Sequence, residues 1–157
     1  MLKITSNLSD VTSSLIGRLK AVSDPNGEVR DKMLRTIALD TAAQMKVRIH
    51  QDGKNSEGGN IGEYSNAYLK VREKNRRGTD KKVILSLTRQ MENDFGIVAG
   101  SGATGYALGF KNPDNADKAG WAEDRYGDIY KPTEVEVAHM RVVAEQFITD
   151  VLNGEVA

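Results

Sequence analysis

Apolar residues recur at helical spacing in two stretches of the first half of the chain. In residues 8–22 they follow one another every three or four positions, which predicts a short amphipathic helix that ends at Asp24-Pro25-Asn26-Gly27. A longer helix is predicted from about Val29 to Ile49, because apolar or small residues recur there every four positions. Its repeating residues are Val29, Met33, Ile37, Thr41, Met45 and Ile49.

The pattern changes to short extended segments in the second half. Residues 83–88 and then residues 95–99 and 106–110 read as strands, with the glycine-rich turn GSGATG between the last two. Residues 89–94 fit either one helical turn or a continuing extended segment. GSGATG also matches the G-x-G-x-x-G pattern of dinucleotide folds, but a strand pattern follows it where that fingerprint needs a helix, so we predict a hairpin turn.

Two further helices are predicted near the end of the chain. Asn112-Pro113-Asp114 begins a short polar helix that runs to about Glu123. The last helix begins at Pro132-Thr133-Glu134 and runs to about Leu152, with Thr133 and Glu136 spaced as a capping box. We therefore predict one α+β domain over residues 1–157, in which a long N-terminal-half helix and a C-terminal helix pack a small antiparallel sheet.

Two segments between these elements carry few apolar side chains. Residues 53–62, GKNSEGGNIG, contain four glycines and are expected to form a surface loop with little fixed structure, either mobile or bound by a partner. Residues 70–82 form a basic arm that either contacts a partner or DNA or is a solvated face. The cations of the basic arm are Lys70, Arg72, Lys74, Arg76, Arg77, Lys81 and Lys82, opposed only by Glu73 and Asp80.

The composition leaves little raw material for catalysis. Cysteine is absent, and His50 and His139 are the only histidines, which excludes thiolate chemistry and zinc sites built on cysteine or several histidines. Both histidines are expected to be structural, with His50 as a cation at the end of its helix. We predict no catalytic residue, no metal and no cofactor, and hence a protein that is not an enzyme.

Charge and hydropathy narrow the class of protein further. Lysines plus arginines number 22, as do aspartates plus glutamates, and this zero net charge argues against a free-standing nucleic-acid binder. It suits a subunit that assembles, because copies do not repel one another. The first residues lack the apolar run of a signal peptide and nowhere do about 18 apolar residues follow one another, so we expect synthesis in the cytoplasm and no membrane contact.

Aromatic residues are interleaved with charge in AGWAEDRYGDIYKP. Because aromatics and arginine are typical anchors of buried interfaces, we predict that this segment lies at a subunit interface. The predicted interface residues are Trp121, Arg125, Tyr126 and Tyr130. The alternative for Trp121 is that it completes the core of its own domain. The acids Glu123, Asp124 and Asp128 near Arg125 are expected to form a salt-linked surface.

The order of motifs along residues 29–152 resembles a family of phage proteins. IGEYSNAYLKVREKNRRGTDKKVILSLTRQMENDF is similar to the segment of tailed-phage neck and tail-completion proteins in which a G-x-Y-S element, a basic arm and an L-x-L-T-G strand follow one another. GYALGFKNPDNADKAGWAEDRYGDIYKPTEVE resembles their Y-A-x-G-F strand, K-A-x-W-x-E-x-R-x-G segment and closing proline–threonine helix. The pattern is similar to Mu-like virion morphogenesis and lambdoid head–tail joining groups, and closer to versions in Bacteroides-type and crAss-like phages. Arg89 stands where these relatives usually have glycine.

This resemblance implies a structural role in the virion. Such proteins form rings in the connector between portal and tail, so we expect a homo-oligomer of six or twelve copies that contacts the portal, other neck or tail proteins and, non-specifically, the DNA in the channel. A closed ring needs two different mating patches on each subunit. Two alternatives remain: another virion component, such as a tail terminator, a minor capsid protein or a packaged DNA-binding factor, and a nucleotide-binding enzyme that rests on GSGATG alone.

Overall fold

The computed structural model describes residues 8–86 and 88–156, with side chains from Val11 onward. The expectation about the first residues and the signal peptide lies outside these ranges. Within them the chain forms six helices and one two-stranded sheet, which confirms the α+β class. In chain order these elements are α1 Leu8–Ser23, α2 Glu28–His50, α3 Asn66–Lys74, α4 Gln90–Asp94, β1 Phe95–Ser101, β2 Gly105–Phe110, α5 Pro113–Tyr126 and α6 Glu134–Asn153.

The long helix α2 is the centre of the fold. It packs against both strands on one side and against α6 and α1 elsewhere, so the hairpin and these two helices are all built on it. Its residues Ala42, Met45 and Ile49 recur every three or four positions and form one wall of the core. The opposite wall comes from separate parts of the chain: Ile61, Val83, Phe95 and Ile129.

The hairpin was predicted correctly. β1 and β2 pair antiparallel from Phe95 opposite Phe110 to Ser101 opposite Gly105, with an irregularity between Ile97 and Ala99. GSGATG is therefore a hairpin turn, because its residues connect two paired strands and no helix follows. GSGATG therefore gives no support to the nucleotide-binding alternative, which rested on this motif alone.

The strand predicted over residues 83–88 is wrong for the residues that the structure describes; Leu87 lies outside them. The residue before the segment, Lys82, makes an isolated bridge with Glu63, after which the Val83 N–H donates to the Gly62 carbonyl over 3.0 Å. Leu85 then takes a φ of 44°, a left-handed value that a strand cannot accommodate. Of the two alternatives for residues 89–94, the helical turn is observed as α4. Its N-cap Arg89 has a φ of 60°, the conformation that glycine adopts at least cost.

The loop over residues 53–62 has more fixed structure than its composition suggested. Lys54 and Asn60 form a bridge, and the Asn55 side-chain oxygen accepts hydrogen bonds from the N–H groups of Glu57 and Gly59. Gly53 anchors the loop with a φ of 58°, where a Cβ would lie 2.3 Å from the Val83 oxygen. Ile61, the one large apolar residue of the loop, is buried in the core. Counting apolar residues missed the loop's order because one buried anchor and local side-chain hydrogen bonds are enough to fix it.

Both C-terminal helices begin as predicted. The Asn112 side chain caps α5, which continues three residues beyond the predicted end. At α6 the Thr133 hydroxyl accepts from the Glu136 N–H, and the Glu136 carboxylate accepts from the Thr133 N–H, so the capping box is confirmed. No helix within the described ranges is both long enough and apolar enough to cross a bilayer.

Arg48 ties α2 to three later parts of the chain. Its Nε donates to the Glu136 carboxylate over 2.8 Å, and its other nitrogens donate to the carbonyls of Lys54, Ile129 and Lys131 at 3.0 to 3.1 Å. The Arg48–Glu136 pair is largely buried. Because both charged groups are hydrogen-bonded, their burial is compensated by direct partners.

Candidate functional site

The cations of the basic arm differ in how far they are buried. Most of its cations point to solvent, on the exposed side of α3 and in the irregular segment that follows it. The exposed cations are Lys70, Lys74, Arg76, Arg77 and Lys81, and Lys82 is half-buried. Arg76 and Gly78 both have positive φ values, of 55° and 78°, so the chain turns tightly in this part of the arm. The arm therefore offers five freely exposed positive charges.

Arg72 is a correction to the predicted arm, because only 3% of it is exposed. Its guanidinium donates to the Tyr64 hydroxyl, to the Ser86 carbonyl and to the Arg77 carbonyl, at 2.9 to 3.2 Å. The same group lies 4.5 Å above the Tyr64 ring. Arg72 is thus used inside the chain, where it fixes the base of the arm, and it is not available to DNA or a partner.

Trp121 lies on the outside of α5, with 68% of its surface exposed. The alternative in which it completes the core of its own domain is therefore wrong. Arg125 lies one turn further along α5, and its guanidinium is 5.2 Å from the Tyr126 ring centre. The Tyr126 ring is half-buried and touches Gly62, where a Cβ would come within 2.8 Å of it. An exposed tryptophan thus stands beside a stacked arginine and tyrosine.

Tyr130 does not belong to the predicted interface. Its ring packs against Phe95 and Phe110 with centroids 5.5 and 5.0 Å apart, so it completes the aromatic part of the core. Its hydroxyl has no hydrogen-bond partner among the described residues. Burial, with a smaller contribution from the nearby Glu123 carboxylate, strongly raises the pKa of Tyr130. Tyr130 is a core residue for which the spacing of aromatics gave a misleading signal.

The acids around Arg125 also have different roles: one binds backbone groups and another lies in a surface ion pair. One Glu123 carboxylate oxygen accepts the N–H groups of Ile129 and Tyr130, at 3.0 and 2.9 Å, and so holds the turn after α5. Asp128 lies 3.9 Å from the Lys131 ammonium on the surface. Glu123 is therefore a structural residue, while Asp128 is salt-linked to Lys131 and not to Arg125 as predicted.

His50 is buried, contrary to its expected role as a cation at a helix end. Its Nδ1–H donates to the Leu85 carbonyl over 3.3 Å, while Nε2 is buried with no partner in the described part of the chain. Burial lowers the pKa of His50, so the ring is neutral near pH 7. His139 lies near the surface on α6, with Nε2 3.1 Å from an Asp40 carboxylate oxygen.

Several apolar side chains on the surface were not singled out from the sequence. The stripe on α1, formed by Val11, Leu15, Ile16 and Leu19, keeps 40 to 49% of each residue exposed although α1 packs on α2 and α6. Val135 at the start of α6 is 77% exposed. Periodicity identifies the apolar face of a helix, but it does not say how much of that face its own domain covers.

Two concave regions lie near these side chains. A pocket of about 600 Å³ is lined by Arg89 of the segment before α4, by Lys118 and Arg125 of α5, and by three tyrosines. A larger groove of about 1070 Å³ runs between α2, the loop over residues 53–62 and the start of α6. No residue lines both. Across residues 8–86 and 88–156, no three His, Asp or Glu side chains are grouped to hold a metal ion.

No protein-family model, curated protein or solved structure matches this chain. The likeness to phage neck proteins therefore rests on the motifs of the sequence and stays a prediction.

Proposed function

We propose that the protein is a structural subunit of the head–tail connector of a tailed bacteriophage, where copies form a ring between portal and tail. The observation that supports this most directly is Trp121, a large aromatic residue exposed on α5 beside Arg125. Tryptophan and arginine are enriched among the residues that contribute most to protein interfaces. A subunit that works by contact with its neighbours gives this side chain a partner to bury it.

A second exposed apolar surface supports contact with more than one kind of neighbour. The α1 stripe lies on a helix that packs on α2 and α6, whereas Trp121 lies on α5, which packs on β2 and α4. A ring in a stacked connector contacts its own copies on either side and other proteins above or below. If Trp121 contacts the next copy within the ring, the α1 stripe remains exposed and can contact the proteins above or below the ring.

The five exposed cations of the basic arm form a third surface. Clustered lysine and arginine bind phosphate groups without regard to sequence, and they bind acidic protein surfaces by the same attraction. In a connector ring the arm would meet either the DNA in the channel or the rim of a neighbouring protein. Because only Glu73 and Asp80 oppose it, its charge is not neutralised locally.

Purified particles of a phage that encodes the protein test this proposal. Quantitative mass spectrometry of the virion is expected to give six or twelve copies per particle, and cryo-electron microscopy is expected to place them in the neck. A position at the tail end or in the capsid shell would favour the alternatives of a tail terminator or a minor capsid protein. Absence from the particles would refute a virion role.

A further inference from the structure

We propose that neighbouring copies join head to tail, with the basic side of α5 on one copy seated against the acidic groove of the next. This inference rests on the proposed function and names the two mating surfaces of the ring. The basic–aromatic surface consists of Arg89, Lys118, Trp121 and Arg125. The acidic groove is the larger of the two concave regions, with Asp52, Glu57, Asp128 and Glu134 at its edge.

The spacing of residues on α5 creates the first surface. Lys118 and Arg125 lie three residues before and four residues after Trp121, so both flank it on the same side of the helix. On that side they face Arg89 across the smaller pocket, and no acid lines this pocket. Asp117 and Asp124 flank Trp121 on the other side of the helix. The positive side is therefore the side toward the pocket, with Trp121 at its edge.

The groove carries the opposite charge. Five acids and three cations line it, and Arg48 and Glu136 neutralise each other within it. Lys131 lies 3.9 Å from Asp128, and the Lys54 ammonium donates to the Asn60 side chain. Two negative charges remain in excess. The smaller pocket, by contrast, is lined by three cations and no acid. Arg89 lies 3.8 Å from the Glu92 carboxylate just outside the pocket, so Lys118 and Arg125 supply its positive excess and the two surfaces attract each other.

The groove also offers apolar surface to a tryptophan. Val135 on one wall is 77% exposed and Val47 on the opposite wall is 44% exposed. A volume of about 1070 Å³ exceeds that of an indole side chain, so Trp121 of a neighbour can enter and be covered on both sides. A tryptophan buried in a well-packed pocket whose rim excludes water is typical of interface anchors.

The two surfaces differ in charge and share no lining residue, which is what a heterologous contact requires. Each copy then donates one surface and receives on the other, and the chain of contacts closes into a ring when the rotation permits. A contact between two identical basic surfaces, or between two identical grooves, would place like charges together.

The first test measures assembly of the purified full chain by sedimentation velocity across a concentration series at low salt. The wild type is expected to form particles of more than two copies, and Trp121→Ser is expected to weaken assembly by about tenfold or more. Val142→Ser is the matched control, because Val142 is an exposed valine on α6 outside both surfaces, and it is expected to assemble as the wild type does.

Charge exchange tests the pairing itself. Arg125→Glu and Glu134→Lys are each expected to weaken assembly, because each places like charges across the contact. The two substitutions in one chain exchange the signs and are expected to restore it. If assembly of the double variant is not restored, the surface that contains Arg125 does not contact the surface that contains Glu134.

A mixing experiment distinguishes a head-to-tail contact from a symmetric one. Trp121→Ser keeps an intact groove, and Val135→Lys keeps an intact basic–aromatic surface. At a concentration at which the wild type assembles but each variant alone stays monomeric, an equal mixture of the two variants is expected to form a 1:1 complex that grows no further. If the wild type forms rings and all these variants do so equally well, the head-to-tail inference is overturned and the connector proposal stands. If the wild type remains monomeric at every concentration, the head-to-tail inference is overturned. If the protein is absent from purified virions, the connector proposal is overturned.

Discussion

Tyr64 and Tyr130 both lie against the hydrophobic core, but their hydroxyl groups differ in what they bind. The Tyr64 hydroxyl accepts the Ile84 N–H over 3.1 Å and an Arg72 N–H over 3.2 Å. The Tyr130 hydroxyl has no partner among the described residues. Burial raises the pKa of both tyrosines, so both are neutral near pH 7. The two rings therefore serve as a natural comparison of a satisfied and an unsatisfied buried hydroxyl.

Removing each hydroxyl should change stability in opposite directions. Tyr130→Phe is expected to raise the free energy of unfolding by about 1 kcal/mol, because it removes a buried group that lost its water without gaining a partner. Tyr64→Phe is expected to lower it by about 1–3 kcal/mol, because the Arg72 guanidinium and the Ile84 N–H lose an acceptor. Urea denaturation followed by circular dichroism measures both. Changes of the same sign would contradict the hydrogen-bond assignment.

His50 gives folding a dependence on pH whose sign can be worked out. Burial lowers the pKa of His50 below its usual 6.5, so below that pH the unfolded chain takes up a proton that the folded chain excludes. The contribution of neutral His50 is therefore fully present above about pH 6.5 and is lost as the pH falls toward the lower pKa of the folded protein.

The variant His50→Gln should reduce this dependence. Its amide can still donate to the Leu85 carbonyl, but it does not titrate. Between pH 7.5 and 5 the free energy of unfolding of the wild type should fall more steeply than that of the variant, by at most about 1.4 kcal/mol per pH unit for one proton. Equal slopes for the wild type and His50→Gln would show that His50 is not the cause.

At the level of elements, the hairpin turn is fastened to the first turn of α2. One Asp31 carboxylate oxygen accepts the Gly102 N–H over 2.6 Å and the Tyr106 hydroxyl over 2.7 Å. Arg30 donates from Nε to the Gly102 carbonyl over 2.9 Å. A Cβ on Gly102 would lie 3.0 Å from the Asp31 backbone, so the glycine is needed for this close approach. Gly102 is thus explained by contact with a helix, whereas Gly100 and Gly105 are explained by their positive φ values of 136° and 79°.

Gly102→Ala should therefore loosen the hairpin from α2. The added methyl group must push the Asp31 backbone or the turn outward, at a cost of about 1–3 kcal/mol in the free energy of unfolding. Gly96→Ala is the matched control in β1, because a Cβ there meets nothing within 4 Å, and it should change stability by less than about 0.5 kcal/mol. Guanidinium denaturation gives both values. Equal costs would contradict the steric explanation.

The elements that sequence predicted well are those with a repeating signal. The helices α1, α2, α5 and α6 and the hairpin each carry a periodic apolar pattern or a capping residue, such as Thr133 before α6. The segment over residues 83–88 has strand-forming residues, but the described part of the chain offers no neighbouring strand to pair with it, and the positive φ of Leu85 ends any extended run. Local propensity cannot reveal a missing partner.

The candidate surfaces were predicted only in part, for a similar reason. A run of cations looks alike in sequence whether each points outward or inward, so Arg72 could not be separated from Lys74. In the structure the difference follows from Tyr64 and Ser86, whose oxygen atoms accept the Arg72 N–H groups from 8 and 14 residues away. Trp121 and Tyr130 differ in the same way, since one faces solvent and the other faces Phe95 and Phe110.

At the scale of the whole molecule, the basic arm is the stretch of residues 8–86 and 88–156 most open to proteolysis. Residues 75–81 are exposed and carry no helix or strand, whereas Lys54 in the glycine-rich loop is held by the bridge to Asn60. Limited trypsin digestion of the isolated subunit should therefore cut first after Arg76 or Arg77. If the arm meets a neighbour, the same bonds should be spared in assembled particles, as peptide mass spectrometry would show. Equal cleavage in both states would contradict a partner for the arm.

Arg48 depends on hydrogen-bond partners that are synthesised much later than Arg48 itself. Its guanidinium binds the carbonyls of Ile129 and Lys131 and the carboxylate of Glu136, all more than 80 residues later in the chain. Until the ribosome has released this stretch, Arg48 lacks these partners and the wall of the acidic groove that includes Glu134 and Glu136 does not exist. If neighbours join through this groove, as proposed above, a copy becomes competent to receive a neighbour only after residues 129–136 have left the ribosome.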